Sequence, residues 1–226
     1  MGTISESLLD QYRSINLDDG DWYGHVIAQH VRKIQEFGID VDQKDVQFSG
    51  FWSQGDGASW AGKVNLNRFM QHFVLVDKYP MVWKFMTELG WGDHIGCYVS
   101  RHASRYSHSN TVSAHIQTDI PNEYVEEFDE LRYSVMELHL EILEKQCDEL
   151  QGEVDIICKG LMDELYGELE EEHDYQTSDE QVRATLEANE IFDEEDDEDE
   201  SEDAPDEDDV ALHADHRPEV QVHAVA

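Results

Sequence analysis

VQFSGFWSQGDGASWAGKVN, residues 46–65, is where the chain stops reading as helix. Val46 to Trp52 and Trp60 to Asn65 are aromatic and β-branched runs. The glycine-bearing stretch Ser53 to Ser59 between them predicts a hairpin. Gly50 and Gly62, inside the runs, predict a bulge or a close approach of backbone.

Upstream, Ser5 to Leu17 has the apolar positions of a short helix, and Asp18-Asp19-Gly20-Asp21 is a turn able to cap the next one. From Trp22 to Phe37, Tyr23, Ile27, Val31 and Ile34 share one helical face, closed by Gly38. Downstream, Leu66 to Asp77 returns to helical spacing. Pro80 then stands at the first turn of a helix ending at Gly90. Ile95 to Arg101 and Tyr106 to Thr118 predict a second hairpin. In its second strand, Val112, Ala114 and Ile116 face oppositely to Thr111, Ser113, His115 and Gln117.

After Pro121 the pattern is helical throughout. Phe128, Leu131, Val135, Leu138 and Ile142 form one stripe. After a one-residue slip, Cys147, Leu150, Val154, Ile157, Leu161, Leu165 and Leu169 form the next, with Gly152 predicting a break or kink. Ser178 with Gln181 reads as a capping box starting a last helix to about Ile191. The run DEEDDEDESEDAPDEDD has no core-forming residues and is expected to be disordered. The fold class is therefore α+β: a small antiparallel sheet of two hairpins packed with helices, then long acidic helices and a disordered acidic tail. The divisions fall at 1–120, 121–192 and 193–226.

Charge follows the same divisions. The net charge is −38, but residues 1–120 hold 10 Lys/Arg against 14 Asp/Glu. Residues 121–190 hold 4 against 23, and residues 191–226 hold 1 against 16. All five Trp lie in the near-neutral part. A field this large decides what approaches the protein. No run approaches the roughly 18–20 apolar residues of a membrane span. The opening MGTISESLLDQYRS lacks the basic-then-apolar pattern of a signal peptide. Cys97, Cys147 and Cys158 are odd in number and widely spaced, so neither a disulfide framework nor a zinc ribbon is indicated and a reducing cytoplasm is expected.

The string FSGFWSQGDGASW (48–60) is too particular for a generic hairpin. With IGCYVSRHASRYSHSNTVSAHIQT (95–118) and HDYQTSDEQVRATLEANEIF (173–192), it resembles a family of small tailed-bacteriophage proteins. The likeness spans most of residues 21–192 and implies a phage origin and an α+β fold. It carries no mechanism.

Two groups of residues are candidates for function. The first is a ligand site in the neutral part: Ser53, Gln54 and Asp56 of the glycine loop, with Arg101, Arg105, Tyr106 and His108. Backbone N–H groups of such a loop can hold a phosphate, and Asp56 can face a cation. No P-loop lysine or EF-hand series accompanies it, and a tight hairpin explains the glycines more simply. Trp52, Phe51 and Trp60 are core or rim first and a base-stacking platform second. His94, His102, His108 and His115 lie within 22 residues, but no HExxH or HxH pairing is present and no metal or cofactor is assigned. Arg101 and its neighbours equally suit a clasp onto the acidic helices.

The second group is the acidic face: Glu126, Glu127, Glu130, Glu137, Glu141, Glu144, Glu149, Glu168, Glu170, Glu171 and Glu172. B-DNA carries a charge per roughly 1.7 Å of axis. A helix rising about 1.5 Å per residue, with an acid at roughly every third position, carries one every ~4–5 Å, and a pair of helices approaches the density of DNA. The sequence is therefore expected to encode a non-enzymatic phage accessory protein of the host cytoplasm. It would bind and inhibit a basic host protein, in the concrete version as a DNA mimic against a restriction or defence nuclease. It would not bind nucleic acid or membrane itself, and a homodimer is allowed. The alternatives are a helical assembly module, or a nucleotide-binding protein or enzyme using the 53–59 loop with Arg101, Arg105 and His108.

Overall fold

The computed structural model of the chain describes residues 2–18, 21–120 and 130–193. In chain order the elements are α1 (Glu6–Gln11), α2 (Gly24–Glu36), β1 (Ile39–Asp40), β2 (Val46–Ser49), β3 (Gly57–Trp60), β4 (Gly62–Val64), α3 (Leu66–His72), α4 (Pro80–Thr87), β5 (Ile95–Arg101), β6 (Val112–Thr118), α5 (Glu130–Gln176) and α6 (Asp179–Ala188). The fold is α+β, with all strand pairs antiparallel.

The 46–65 stretch does form a hairpin, but its returning run serves two sheets. β2 pairs with β3 in a two-stranded sheet, Val46 opposite Trp60 and Ser49 opposite Gly57. The chain then breaks at Ala61. β4 enters a second sheet of order β1-β4-β5-β6. The switch needs Gly62: a Cβ there would collide with the Asp40 carbonyl oxygen, the close approach that the sequence predicts.

The four-stranded sheet has two unlike faces. Ile39, Val64, Cys97, Val99, Val112 and Ala114 point into the core. Their pleat partners Asp40, Lys63, Gly96, Tyr98, Ser113, His115 and Gln117 do not. The expected strand from Tyr106 begins only at Val112. His108 Nδ1 accepts from the Asn110 N–H (3.2 Å) and caps a 3-10 turn over Ser109–Thr111. Thr111 is consequently buried in that turn instead of facing outward with Ser113.

Helix ends match the local signals unevenly. Gly38 (φ +92°) closes α2, and Pro80 sits in the first turn of α4. α1 covers only part of the expected Ser5–Leu17 span, with Ser5 as its cap. α3 stops at His72, not Asp77, because Val74 turns left-handed (φ +57°) and the Leu75 N–H reaches back to the Met70 carbonyl (2.8 Å). α6 starts where Ser178 and Gln181 place it: the Ser178 hydroxyl accepts from the Gln181 N–H (3.4 Å).

α5 runs for 47 residues, about 70 Å at ~1.5 Å per residue. It passes unbroken through Gly152, where the sequence predicts a break or kink. The reason is tertiary: Leu150 and Val154, on either side, are wholly buried. That burial outweighs the roughly 1 kcal/mol a helical glycine costs relative to alanine. The buried seam is Leu143, Cys147, Leu150, Val154, Cys158, Met162, Leu165 and Leu169. Ile157 and Leu161 of the expected stripe only flank it, while Val135, Leu138 and Ile142 are exposed. Phe128 and the acidic run after Asp193 lie outside the described residues.

One core joins residues on both sides of the charge boundary, from Val26 to Leu169. A second, small core holds Leu9 of α1 against Val182 and Leu186 of α6. The Ser5 hydroxyl donating to Asp193 (2.7 Å) and an Arg13–Asp179 ion pair lock the two helices together.

Candidate functional site

α5 contributes more than its apolar seam to the fold. Its polar side chains complete elements that lack partners of their own. Gln146 Oε1 accepts from the Met81 N–H (2.8 Å), capping α4, whose N-cap residue Tyr79 supplies no side-chain bond. Asp155 Oδ1 accepts from the Ala114 N–H (3.0 Å) and Gln151 Oε1 from the Ile116 N–H (2.9 Å). These two residues, one helical turn apart, cover the outer edge of β6, which would otherwise expose unpaired donors.

The acidic residues divide accordingly. Glu126 and Glu127 lie outside the described residues, and Glu130 opens α5. Glu137, Glu141 and Glu144 are exposed, and together with Asp148 they fall within an arc of about 60° at ~100° per residue. Glu149 is exposed and lies 3.9 Å from Lys145. In the second half, acids meet the bases of other elements. Glu153 pairs with Lys78, and Glu164 with Lys33 (2.6 Å). Glu168 lies 3.1 Å from His30 Nδ1 and 3.9 Å from Lys33, and Glu172 lies 3.5 Å from His25. Glu171 is exposed, whereas Glu170 is half-buried. His30 is buried and its Nε2 finds no partner among the described residues. Burial holds its imidazole below the ordinary value, against the opposing pull of Glu168.

Only part of the neutral-half set comes together, with its polar groups turned on one another. Asp56 Oδ2 accepts from the Ser53 N–H (2.6 Å) and the Trp52 N–H (3.1 Å), so the carboxylate closes its own loop. Gly55 (φ +98°) lies against the Tyr106 ring, and Gly57 abuts His108. Arg105 donates to the Tyr106 hydroxyl, its guanidinium carbon 4.7 Å from that ring's centre. Arg101 is turned elsewhere: it donates to the Asp45 carbonyl and to Ser59 (3.3 Å to its carbonyl, 3.4 Å to its hydroxyl). Burial holds its guanidinium below the ordinary value, with Asp45 opposing. Among the described residues, the Gln54 side chain makes no hydrogen bond. The loop is tied to α5 by the Tyr166 hydroxyl, which donates to the Gly50 carbonyl (3.1 Å), and by Tyr166 stacked on Phe51 at 5.5 Å. Trp22, Phe51 and Trp52 surround His173, with ring centres 5.0–5.7 Å away.

Among the described residues, no three metal-ligating side chains converge. His102 bonds Ser113 (2.7 Å), His108 caps its turn, and His115 lies beside Tyr98. The three cysteines are free and buried. Burial pushes the Cys97 thiol up to about 12 and that of Cys147 up to about 11, well away from the thiolate form a nucleophile needs. No helix among the described residues is long and apolar enough to cross a membrane.

These features define an α+β protein organised on one long acidic helix. The chain belongs to the family described as a domain of unknown function (DUF8835), which matches residues 22–179, from two residues before α2 to the first residue of α6. No curated protein and no solved structure matches it. The α1–α6 clasp falls almost wholly outside the matched span.

Sequence reasoning missed Asp155, Gln151 and Gln146 as supports and Lys33, Lys78 and His30 as partners. The only available signal was the spacing of His30 and Lys33, three apart on one helix face.

Proposed function

We propose that the protein binds and inhibits a basic partner through the outer acidic face of α5, substituting for nucleic acid. In the phage setting suggested by the resemblance, the partner is a host restriction or defence nuclease, met in the host cytoplasm. The observation that carries the reading is the row Glu137, Glu141, Glu144 and Asp148. These carboxylates are exposed, carried on a helix whose seam from Leu143 onward lies in the shared core, and without an ion pair among the described residues. From residue 137 to 149 the helix carries acids over about 18 Å, a charge every ~4–5 Å, so a basic cleft would exchange its counterions as it does on DNA. The acids of the second half contribute less, because Lys33, Lys78, His25 and His30 already face them.

The test is capture of partners from host extract by the full chain at low and high salt. The expected partner is basic, is displaced by duplex DNA and is lost at high salt. A Glu137→Lys/Glu141→Lys/Glu144→Lys variant is expected to lose it while unfolding at the same temperature. Capture undiminished by high salt or by this variant would overturn the reading.

A second reading, assembly between copies, is favoured by another face of the same helix. Leu138, Ile142 and Ile156 are exposed there in line with Gly152 and Gly160, and a Cβ on either glycine would meet open space. Sedimentation showing an oligomer that Ile156→Glu dissolves would support it.

A further inference from the structure

α5 carries a second stripe that the fold does not use. Leu138, Ile142, Lys145, Glu149, Gly152 and Ile156 follow one another at alternating spacings of four and three, the heptad spacing of a coiled-coil seam. All six are exposed. At ~100° per residue they centre about 180° around the helix from the buried seam of Leu143 to Leu169. Most other exposed positions of the helix are Glu or Asp, yet the stripe holds one acid, Glu149, and one base, Lys145. Gly152 adds to the pattern. A glycine inside a helix costs about 1 kcal/mol relative to alanine, and among the described residues nothing packs within 4 Å of where its Cβ would stand. Packing within the chain therefore gives no reason for it.

The stripe is complementary to itself in one register. A two-fold axis level with residue 147, midway between Lys145 and Glu149, sets each of its positions beside another in an antiparallel copy. Leu138 then lies against Ile156 of the second copy, and Ile142 against Gly152, whose missing Cβ leaves room for it. Lys145 lies beside Glu149, and by symmetry every pairing occurs twice. A shift of one heptad sets Ile142 on Lys145 and Leu138 on Glu149, and a shift the other way sets Ile156 on Lys145 and Leu138 on Asp163. A parallel pairing sets Lys145 on Lys145 and Glu149 on Glu149. Within one copy these two residues are exposed, 3.9 Å apart and in the weaker order, base before acid, so little holds them to each other.

We propose that a second copy of the chain packs antiparallel on this stripe, in that register. The proposal rests on assembly between copies, the second reading of the function, and adds the partner's direction and pairing. From Leu138 to Ile156 the contact runs about 27 Å, a small interface of the weak and reversible class. Two chains of net charge −38 also repel each other. The expected dissociation constant is therefore about 10–100 μM, with the folded monomer prevailing in dilute solution. The acidic row of Glu137, Glu141, Glu144 and Asp148 lies about a quarter-turn from the stripe and stays uncovered. The two-fold axis sets the rows of both copies on the same side of the pair, so a dimer presents two acid-bearing helices to a basic partner where a monomer presents one.

The test is sedimentation velocity of the full chain over about a hundredfold range of concentration around that constant. The salt should screen long-range repulsion between copies but not contacts between neighbouring side chains. A concentration-dependent dimer is expected. Lys145→Glu and Glu149→Lys each set like charges side by side, and each is expected to weaken it by about tenfold while unfolding at the parent's temperature in dilute solution. Glu149→Lys is the more telling of the two, because it lowers the net charge and would strengthen a dimer governed by overall repulsion alone. Exchanging the pair, Lys145→Glu/Glu149→Lys, is expected to return the affinity to within about threefold of the parent. A dimer unchanged in both single reversals, or not recovered by the exchange, would overturn the register; if Ile156→Glu dissolves that dimer, assembly through this face still stands. A chain monomeric throughout the range would overturn both.

Discussion

The two halves of α5 carry similar acid and do different things with it. Before residue 150, Glu137, Glu141, Glu144 and Asp148 face solvent, and Val135, Leu138 and Ile142 are exposed beside them. Beyond it, Glu153, Glu164, Glu168 and Glu172 meet bases on other elements, and Asp155 covers the edge of β6. Glu153, Asp155, Glu164, Glu168 and Glu172 are therefore part of the fold, whereas Glu137, Glu141, Glu144 and Asp148 are part of the field. Net charge counts both equally, so it overstates what a partner meets.

That contrast can be broken most directly through the apolar residues. Leu150→Ala empties a wholly buried position and is expected to cost about 3 kcal/mol, whereas Leu138→Ala should fall within about 0.5 kcal/mol of the parent. Urea unfolding of both variants decides it; equal losses would mean that the first half is covered in solution.

Next come the acids themselves. Asp155→Ala leaves the Ala114 N–H without its acceptor and Lys159 without its 2.7 Å partner, at an expected cost of about 2 kcal/mol. Asp155→Asn keeps an acceptor and should recover much of that loss. Glu144→Ala is expected to stay within about 0.5 kcal/mol, and matching losses at 144 and 155 would erase the distinction between the halves.

Smaller still is the effect of glycine. Gly152→Ala and Gly160→Ala should each stabilise the monomer by about 1 kcal/mol, because an added Cβ meets open space. A loss of stability in either would reveal that this face is occupied.

The gentlest probe is pH. Since the folded imidazole of His30 sits below its ordinary value, the unfolded chain takes up its proton first as pH falls. Stability is therefore expected to decline as pH drops through about 6.5 toward the lowered folded value. Glu168 and Glu164 oppose this decline and Lys33 reinforces it. Thermal unfolding of the parent and of His30→Gln across that window should differ in slope, and identical slopes would remove His30 from the account.

Much of the fold was legible wherever the cause was local. Pro80, Gly38 and Ser178 act within one turn of their own positions, and the alternation of Val112 to Gln117 declares both faces of β6 without help from elsewhere. The failures share a different cause. Leu66 to Asp77 reads as one helix because Val74 is an unexpected residue for a left-handed turn. Tyr106 to Asn110 reads as strand because the capping bond of His108 leaves no periodic trace. The acidic face was legible as composition but not as geometry. Whether a glutamate is free depends on whether a lysine on another helix arrives opposite it.

By itself, the sequence determined the α+β class, the two hairpins, the amphipathic helices and the segregation of acid after residue 120, because short-range sterics and apolar periodicity act on neighbours in the chain. Only the tertiary structure decided that Gly152 does not break α5, that the 57–64 run divides between two sheets at Ala61, which carboxylates remain free, and that Lys63, Tyr98 and Gly96 share one open face. Those outcomes depend on burial and pairing between residues far apart in the chain, and no local pattern records them.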